Sequence, residues 1–170
     1  LMRLKLMNKD TEVMYFEMAN GLIGNVEVIN GRLLPEMLKL GINALFYDWL
    51  RARNIDTTRY NAKVLLNLLG VGGHKLSAVL ANRGLNLTDT YWVKVDGEET
   101  FGAVSLYRKE HVNAIVQTAL YGTVQPLPND INPELTNIGS FEKVWVKEGK
   151  QWWLYKRGSF KNIYAELFAY

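Results

Sequence analysis

The residues whose types and spacing could do chemistry lie toward the end of the 170-residue chain. Lys156 closes the run Gln151-Trp152-Trp153-Leu154-Tyr155-Lys156, and Glu166 follows in a stretch whose apolar positions keep a helical period. A strand lysine can meet nucleotide phosphates. A carboxylate on the next helix would hold it in position, because an unpaired ammonium is badly aimed and costly to bury. The same two residues also fit a solvated pair worth at most about 1 kcal/mol.

Positioning that pair requires a hairpin and a helix. The stretch from Ser140 to Lys147 is rich in aromatic and β-branched residues, Glu148-Gly149-Lys150 interrupts it, and the run ending at Lys156 follows. Two such flanks around a short glycine-centred break predict a β-hairpin. Arg157-Gly158-Ser159 is expected to break the second strand, and Asn162 to begin a helix with Ile163, Tyr164, Leu167, Phe168 and Tyr170 on its apolar side. Before the hairpin, Pro126, Pro128 and Pro133 fall among Asn129, Asp130, Asn132 and Asn137, which marks 123–139 as a turn-rich connector. The expected organisation is thus an N-terminal α+β domain over 1–122, a Pro/Asn-rich connector over 123–139, and a third unit over 140–170.

The first thirty positions read as β structure. Met2, Leu4 and Leu6 alternate with Arg3 and Lys5, a second run spans Val13 to Met18, and Asn20-Gly21 precedes a third run from Leu22 to Ile29. Asn-Gly suits a two-residue hairpin turn because both positions tolerate positive φ. A small antiparallel meander results, closed at Asn30-Gly31.

Three short helices follow. Asn43 is the expected cap of the first, with Leu45, Phe46, Trp49 and Leu50 on its apolar face. Thr57 or Thr58 caps the second, which carries Tyr60, Val64, Leu65, Leu68 and Leu69 and stops at Gly70. The third begins at Leu76 and ends at Gly84. The last two resemble a helix-turn-helix in outline, with Lys75, Ser77, Asn82 and Arg83 as the polar groups available for DNA; a plain packing unit fits equally. A short strand from Thr90 to Val95 then places Tyr91 and Val93 on one side and Trp92 and Lys94 on the other. A helix from Val104 to Tyr121, with Val112, Ile115, Val116 and Ala119 on one face, stops at Gly122.

Composition excludes several chemistries. The chain has no cysteine, so disulfides, thiolate metal sites and cysteine nucleophiles are absent. His74 and His111 are too few for a histidine metal centre, and no metal site is expected. Neither sits in a nucleophile constellation, no Gly-x-Ser-x-Gly elbow occurs, and Asp130, Glu134 and Glu142 have no spacing that defines a carboxylate pair, so a hydrolase has little support. The formal charge of +3 permits nucleic acid without indicating it. The apolar runs are too short for a membrane span and the opening residues read as a strand, so a cytoplasmic location is expected.

Longer stretches carry a family resemblance. Residues 133–145, followed by Trp153-Leu154-Tyr155-Lys156-Arg157-Gly158-Ser159 and Ala165-Glu166-Leu167-Phe168-Ala169-Tyr170, resemble the nucleotide-side strands of HipA-like bacterial serine/threonine kinases. Leu85-Asn86-Leu87-Thr88-Asp89-Thr90-Tyr91-Trp92-Val93 is similar to a stretch preceding that lobe in one branch of the family, and Leu6-Met7-Asn8-Lys9-Asp10 resembles its opening. The resemblance implies an α+β fold ending in the start of a kinase N-lobe. It implies Lys156 as the phosphate-contacting lysine, Glu166 as its helix partner, and Thr136, Asn137, Gly139 and Ser140 as the turn covering the phosphates. Ser140 or Thr136 would be a phosphorylation target. ATP and Mg²⁺ are the implied cofactors and an antitoxin-like protein the implied partner; DNA is a partner only on the helix-turn-helix reading above.

The family carries its catalytic aspartate and magnesium ligands in a later lobe, and the sequence to Tyr170 has no recognisable counterpart. The expectation is therefore the front part of a longer toxin–antitoxin-type kinase, truncated and inactive in phosphoryl transfer alone, whose partner is the missing C-terminal lobe. A helix ending at Tyr170 would expose an apolar face and favour a homodimer. The alternative is a non-catalytic module that docks protein or DNA through the meander and helices.

Overall fold

The computed structural model describes residues 1–54, 61–68, 76–86, 88–95, 97, 99–105, 117–118, 120–122 and 142–159. Strands β1 (Met2–Asn8), β2 (Thr11–Ala19) and β3 (Leu22–Val28) form successive antiparallel hairpins, and β4 (Tyr91–Lys94) adds antiparallel to the other side of β1. The sheet order is β3-β2-β1-β4, and with its helices the chain has an α+β fold.

The expected turn chemistry operates at Asn20-Gly21. Ala19 pairs with Leu22 across it, and both turn residues have positive φ, 51° and 77°, which matches the twist of the flanking strands. Alternation along β1 buries Leu4 and Leu6 opposite Phe16 and Met14. The β1–β2 register shifts after Leu6, leaving Val13 as an extra residue, so adjacent Val13 and Met14 both enter one core. A second irregularity faces β2 at Tyr15 to Glu17. There Asn25 of β3 takes φ 42° and donates its side-chain amide to Glu17, bending the edge strand and disfavouring pairing with another chain.

One sheet face is covered by helices. After a 3₁₀ turn over Gly31–Leu33 come α1 (Glu36–Lys39) and α2 (Ile42–Arg51). Phe46 and Leu50 of α2 are buried against Leu4, Leu6 and Phe16, each burial stabilising by roughly 1.5–3 kcal/mol. Phe46 meets Phe16 edge-on at 4.9 Å, Trp49 stacks on Phe46 at 6.1 Å, and Tyr91 closes edge-on against Trp49 at 5.8 Å. The expected cap at Asn43 is wrong by two residues. Gly41 caps α2, its carbonyl accepting the first helical bond from Leu45, so Asn43 already lies within the first turn.

Helices α3 (Ala62–Leu68) and α4 (Ser77–Ala81) occupy the second and third predicted helical stretches; Thr57, Thr58 and the glycine turn at 71–73 lie outside the described residues. Helix α4 ends in a Schellman motif, with Gly84 N–H bonded to Val79 O at 2.7 Å and Arg83 N–H to Leu80 O at 3.0 Å. The next turn feeds β4, whose faces divide as predicted: Val93 and Tyr91 join the helix-covered core, while Trp92 packs with Met7, Leu85 and Val104 on the opposite face.

The helix expected to start at Val104 does not start there. Val104 closes a separate short helix, α5 (Phe101–Val104), capped by Thr100, whose side chain accepts from Ala103 N–H, and Ser105 leaves the helical region at ψ 132°. Gln117, Thr118, Leu120 and Tyr121 are helical, and Gly122 is the stop as expected, with φ 72° and its N–H bonded to Thr118 O at 2.9 Å. Strands β5 (Glu142–Glu148) and β6 (Gln151–Arg157) form a separate two-stranded sheet. The connector over 123–139 lies outside the described residues. No helix among those described is long and apolar enough to cross a membrane.

Candidate functional site

The hairpin that carries Lys156 forms where its sequence predicts. Glu148 pairs with Gln151 across a two-residue turn of Gly149 and Lys150, and Gly149 takes φ 61° at the first turn position. That conformation favours glycine and sets the register of the whole ladder. From it, Lys143 falls opposite Lys156, Trp145 opposite Leu154 and Val146 opposite Trp153. Strand β6 runs through Arg157, one residue into the expected break at 157–159, because Arg157 still pairs with Glu142.

Lys156 is an exposed, next-to-last residue of β6 and shares a strand face with Leu154 and Trp152. Its register partner Lys143 brings a second basic position to that end of the hairpin. Glu166, Thr136, Asn137, Gly139 and Ser140 all lie outside the described residues, as do His74, His111, Asp130 and Glu134. Of the six expected nucleotide-side residues the described chain thus contains Lys156 alone.

The opposite hairpin face combines burial and exposure. Val144 and Val146 of β5 are buried, while their cross-strand neighbours Tyr155 and Trp153 remain 43% and 51% exposed. The Tyr155 hydroxyl donates to Glu148, and that bond, more than burial, raises the phenol above its ordinary value. Arg157 lies on this face too, donating to Leu120 O at 3.1 Å with its guanidinium 5.0 Å from the centre of the Tyr121 ring. That contact ties the hairpin to the helical residues before Gly122.

Two of the four polar groups considered for DNA contact are engaged within the fold. Asn82 is buried and accepts from Gly84 N–H at 3.0 Å, Arg83 forms a two-point ion pair with Glu99, and Lys75 lies outside the described residues. Among the described residues no group of three histidine, aspartate or glutamate side chains could hold a metal.

Two charged clusters escaped the reading of the sequence. Arg53 is a buried cation bound to Asp89, and on the outer sheet face Lys5 and Tyr15 both bond Glu12, with Arg3 4.5 Å from the centre of the Tyr15 ring. Lys5, Glu12 and Tyr15 fall on neighbouring strands, so only the register brings them together. An arginine four residues after Trp49 was the one local signal for the first cluster, and cation–π contact at 4.6 Å realises it.

No family model, curated protein or solved structure matches the chain.

Proposed function

We propose that the chain supplies the nucleotide side of a HipA-like serine/threonine kinase and engages ATP phosphates, with their Mg²⁺, through Lys156. The observation that carries the reading is the antiparallel hairpin over 142–157 with Lys156 exposed next to its end. An exposed ammonium exchanges water and surface contacts for a phosphate at small cost, whereas one sealed in the core would lose its charge or require a buried partner. Glu166 as its positioning carboxylate, and Thr136, Asn137, Gly139 and Ser140 as the covering turn, belong to the same proposal and rest on the sequence resemblance. Phosphoryl transfer itself needs an acceptor base and magnesium ligands, which the proposal assigns to a further lobe.

The test is calorimetric titration with ATP and Mg²⁺. Wild type is expected to bind in the millimolar range or tighter, Lys156→Ala to lose at least tenfold, and Glu166→Gln to fall between them. Equal affinity in all three proteins overturns the assignment.

A non-catalytic docking role draws support from a different observation. Val28, Ile29, Met37 and Leu40 leave large apolar side chains exposed around the end of β3 and on α1. Sedimentation of the chain at rising concentration separates the cases: self-association abolished by Leu40→Glu supports docking through this region, and a monomer throughout removes the homodimer.

A further inference from the structure

We propose, on the nucleotide-side reading of Lys156, that Lys143 is a second phosphate-contacting residue and that the two ammoniums together favour the triphosphate of a nucleotide.

The register carries this. Lys143 lies directly opposite Lys156 in the β5–β6 ladder. Residues so placed have β-carbons about 5 Å apart on one sheet face, and two like charges in that arrangement work against the strand pairing. Nothing at the other positions of the face offsets them: Trp145 and Lys147 follow on β5, with Leu154 and Trp152 opposite on β6. Both acidic residues of β5, Glu142 and Glu148, fall on the other face.

An anion held between two ammoniums turns their repulsion into attraction, and each can donate to a different oxygen of one polyphosphate. A triphosphate carries more negative charge than a single phosphate and spreads it over several groups, so two adjacent cations discriminate in its favour.

The place of the pair along the hairpin agrees with the proposed covering turn. Residues 136–140 lead into β5, which opens at Glu142, one residue before Lys143. Lys156 is likewise next to last in β6, so both cations stand at the end of the hairpin away from its own turn. Lys147 shares their face but lies four residues, about 13 Å, nearer that turn and opposite Trp152, so no second lysine pair forms.

The experiment is calorimetric titration of the full chain with Mg²⁺ and ATP, repeated with inorganic tripolyphosphate and with orthophosphate. Wild type is expected to bind tripolyphosphate more tightly than orthophosphate. Lys143→Gln should weaken ATP and tripolyphosphate alike by about tenfold, the loss of one charged contact, and Lys143→Arg should keep most of the affinity. Lys150→Gln removes the same charge from the turn, six residues and about 20 Å from Lys156, and should leave both affinities near wild type. Without ligand, Lys143→Gln should raise the thermal midpoint at low salt and lose that advantage at high salt, where the repulsion is screened; Lys150→Gln should not. Circular dichroism checks that each variant keeps the fold.

Loss of ATP affinity in Lys156→Ala but not in Lys143→Gln overturns the pair and leaves the reading of Lys156 standing. Unchanged affinity in Lys156→Ala, or no binding by wild type, overturns that reading and the pair with it. Equal losses in Lys143→Gln and Lys150→Gln, equal binding of tripolyphosphate and orthophosphate, or a low-salt midpoint that Lys143→Gln does not raise also overturns the pair.

Discussion

Arg53 and Asp89 meet as a bidentate ion pair, Nη1 to Oδ2 at 2.7 Å and Nη2 to Oδ1 at 2.6 Å, although the second and third predicted helical stretches separate them in sequence. The guanidinium also donates to Gly84 O at 2.5 Å and Tyr91 O at 3.1 Å, and Asp89 accepts from Tyr91 N–H at 3.0 Å. One buried side chain thereby joins the residue after α2's cap, the Schellman turn of α4 and the start of β4.

Removing one member of that pair strands the other charge. Asp89→Ala is expected to cost about 3 kcal/mol, and the double change Arg53→Met with Asp89→Leu less than Asp89→Ala alone, because it leaves no buried ion. Chemical denaturation of the three proteins measures the difference; a double variant less stable than Asp89→Ala would contradict the account.

Positive φ at two adjacent residues gives a second test. Arg83 sits at φ 58° and Gly84 at φ 60° in the turn after α4. Around Gly84 a β-carbon would meet only ordinary contacts, the nearest being Val79 at 3.5 Å, so Gly84→Ala should cost about 1 kcal/mol from backbone conformation alone. Arg83→Gly relieves a similar strain while losing a partly exposed ion pair with Glu99, and is expected to change stability by less than about 0.5 kcal/mol. Thermal midpoints of both variants decide it.

Trp92 tests the smaller core. Its indole N–H donates to Lys9 O at 2.7 Å while the ring packs with Met7, Leu85 and Val104. Trp92→Phe leaves that carbonyl without its donor and a void beside Val104, so a loss of about 2–3 kcal/mol is expected in urea unfolding.

The cluster at Glu12 predicts a pH dependence. Its hydrogen bond to Lys5 first, and to Tyr15 second, holds the Glu12 carboxyl below its ordinary value, and the same contact with Glu12 holds the Lys5 ammonium above its own. The depressed carboxyl contributes stability above the ordinary carboxylate range, lost as pH falls through its folded value. The raised ammonium contributes below the ordinary lysine value of 10.5, lost as pH rises through its folded value. Glu12→Gln should thus lower the unfolding midpoint slightly at neutral pH and not at all in strong acid. A deficit that persists unchanged in acid would show that packing, not charge, is responsible.

Local chemistry determined much of this molecule. Asn20-Gly21 specifies its turn because both residues accept positive φ, Leu4 and Leu6 declare the buried face of β1 by their period, and Gly149 marks the hairpin that carries Lys156. These signals lie within a few residues of the structure they form. What tertiary structure alone decided is nonlocal: β4 returning to pair with β1, Val13 displaced by a bulge into the same core as Met14, Arg53 reaching Asp89, and Arg83 committed to Glu99 instead of solvent. No spacing along the chain encodes those meetings, because each depends on how far separate elements move together when the sheet and helices bury their apolar faces. The Asn43 cap and the helix start at Val104 failed for a related reason. Gly41 opened α2 early and Ser105 left the helical region after Val104, because neighbouring positions differ too little in propensity for the sequence to decide a boundary.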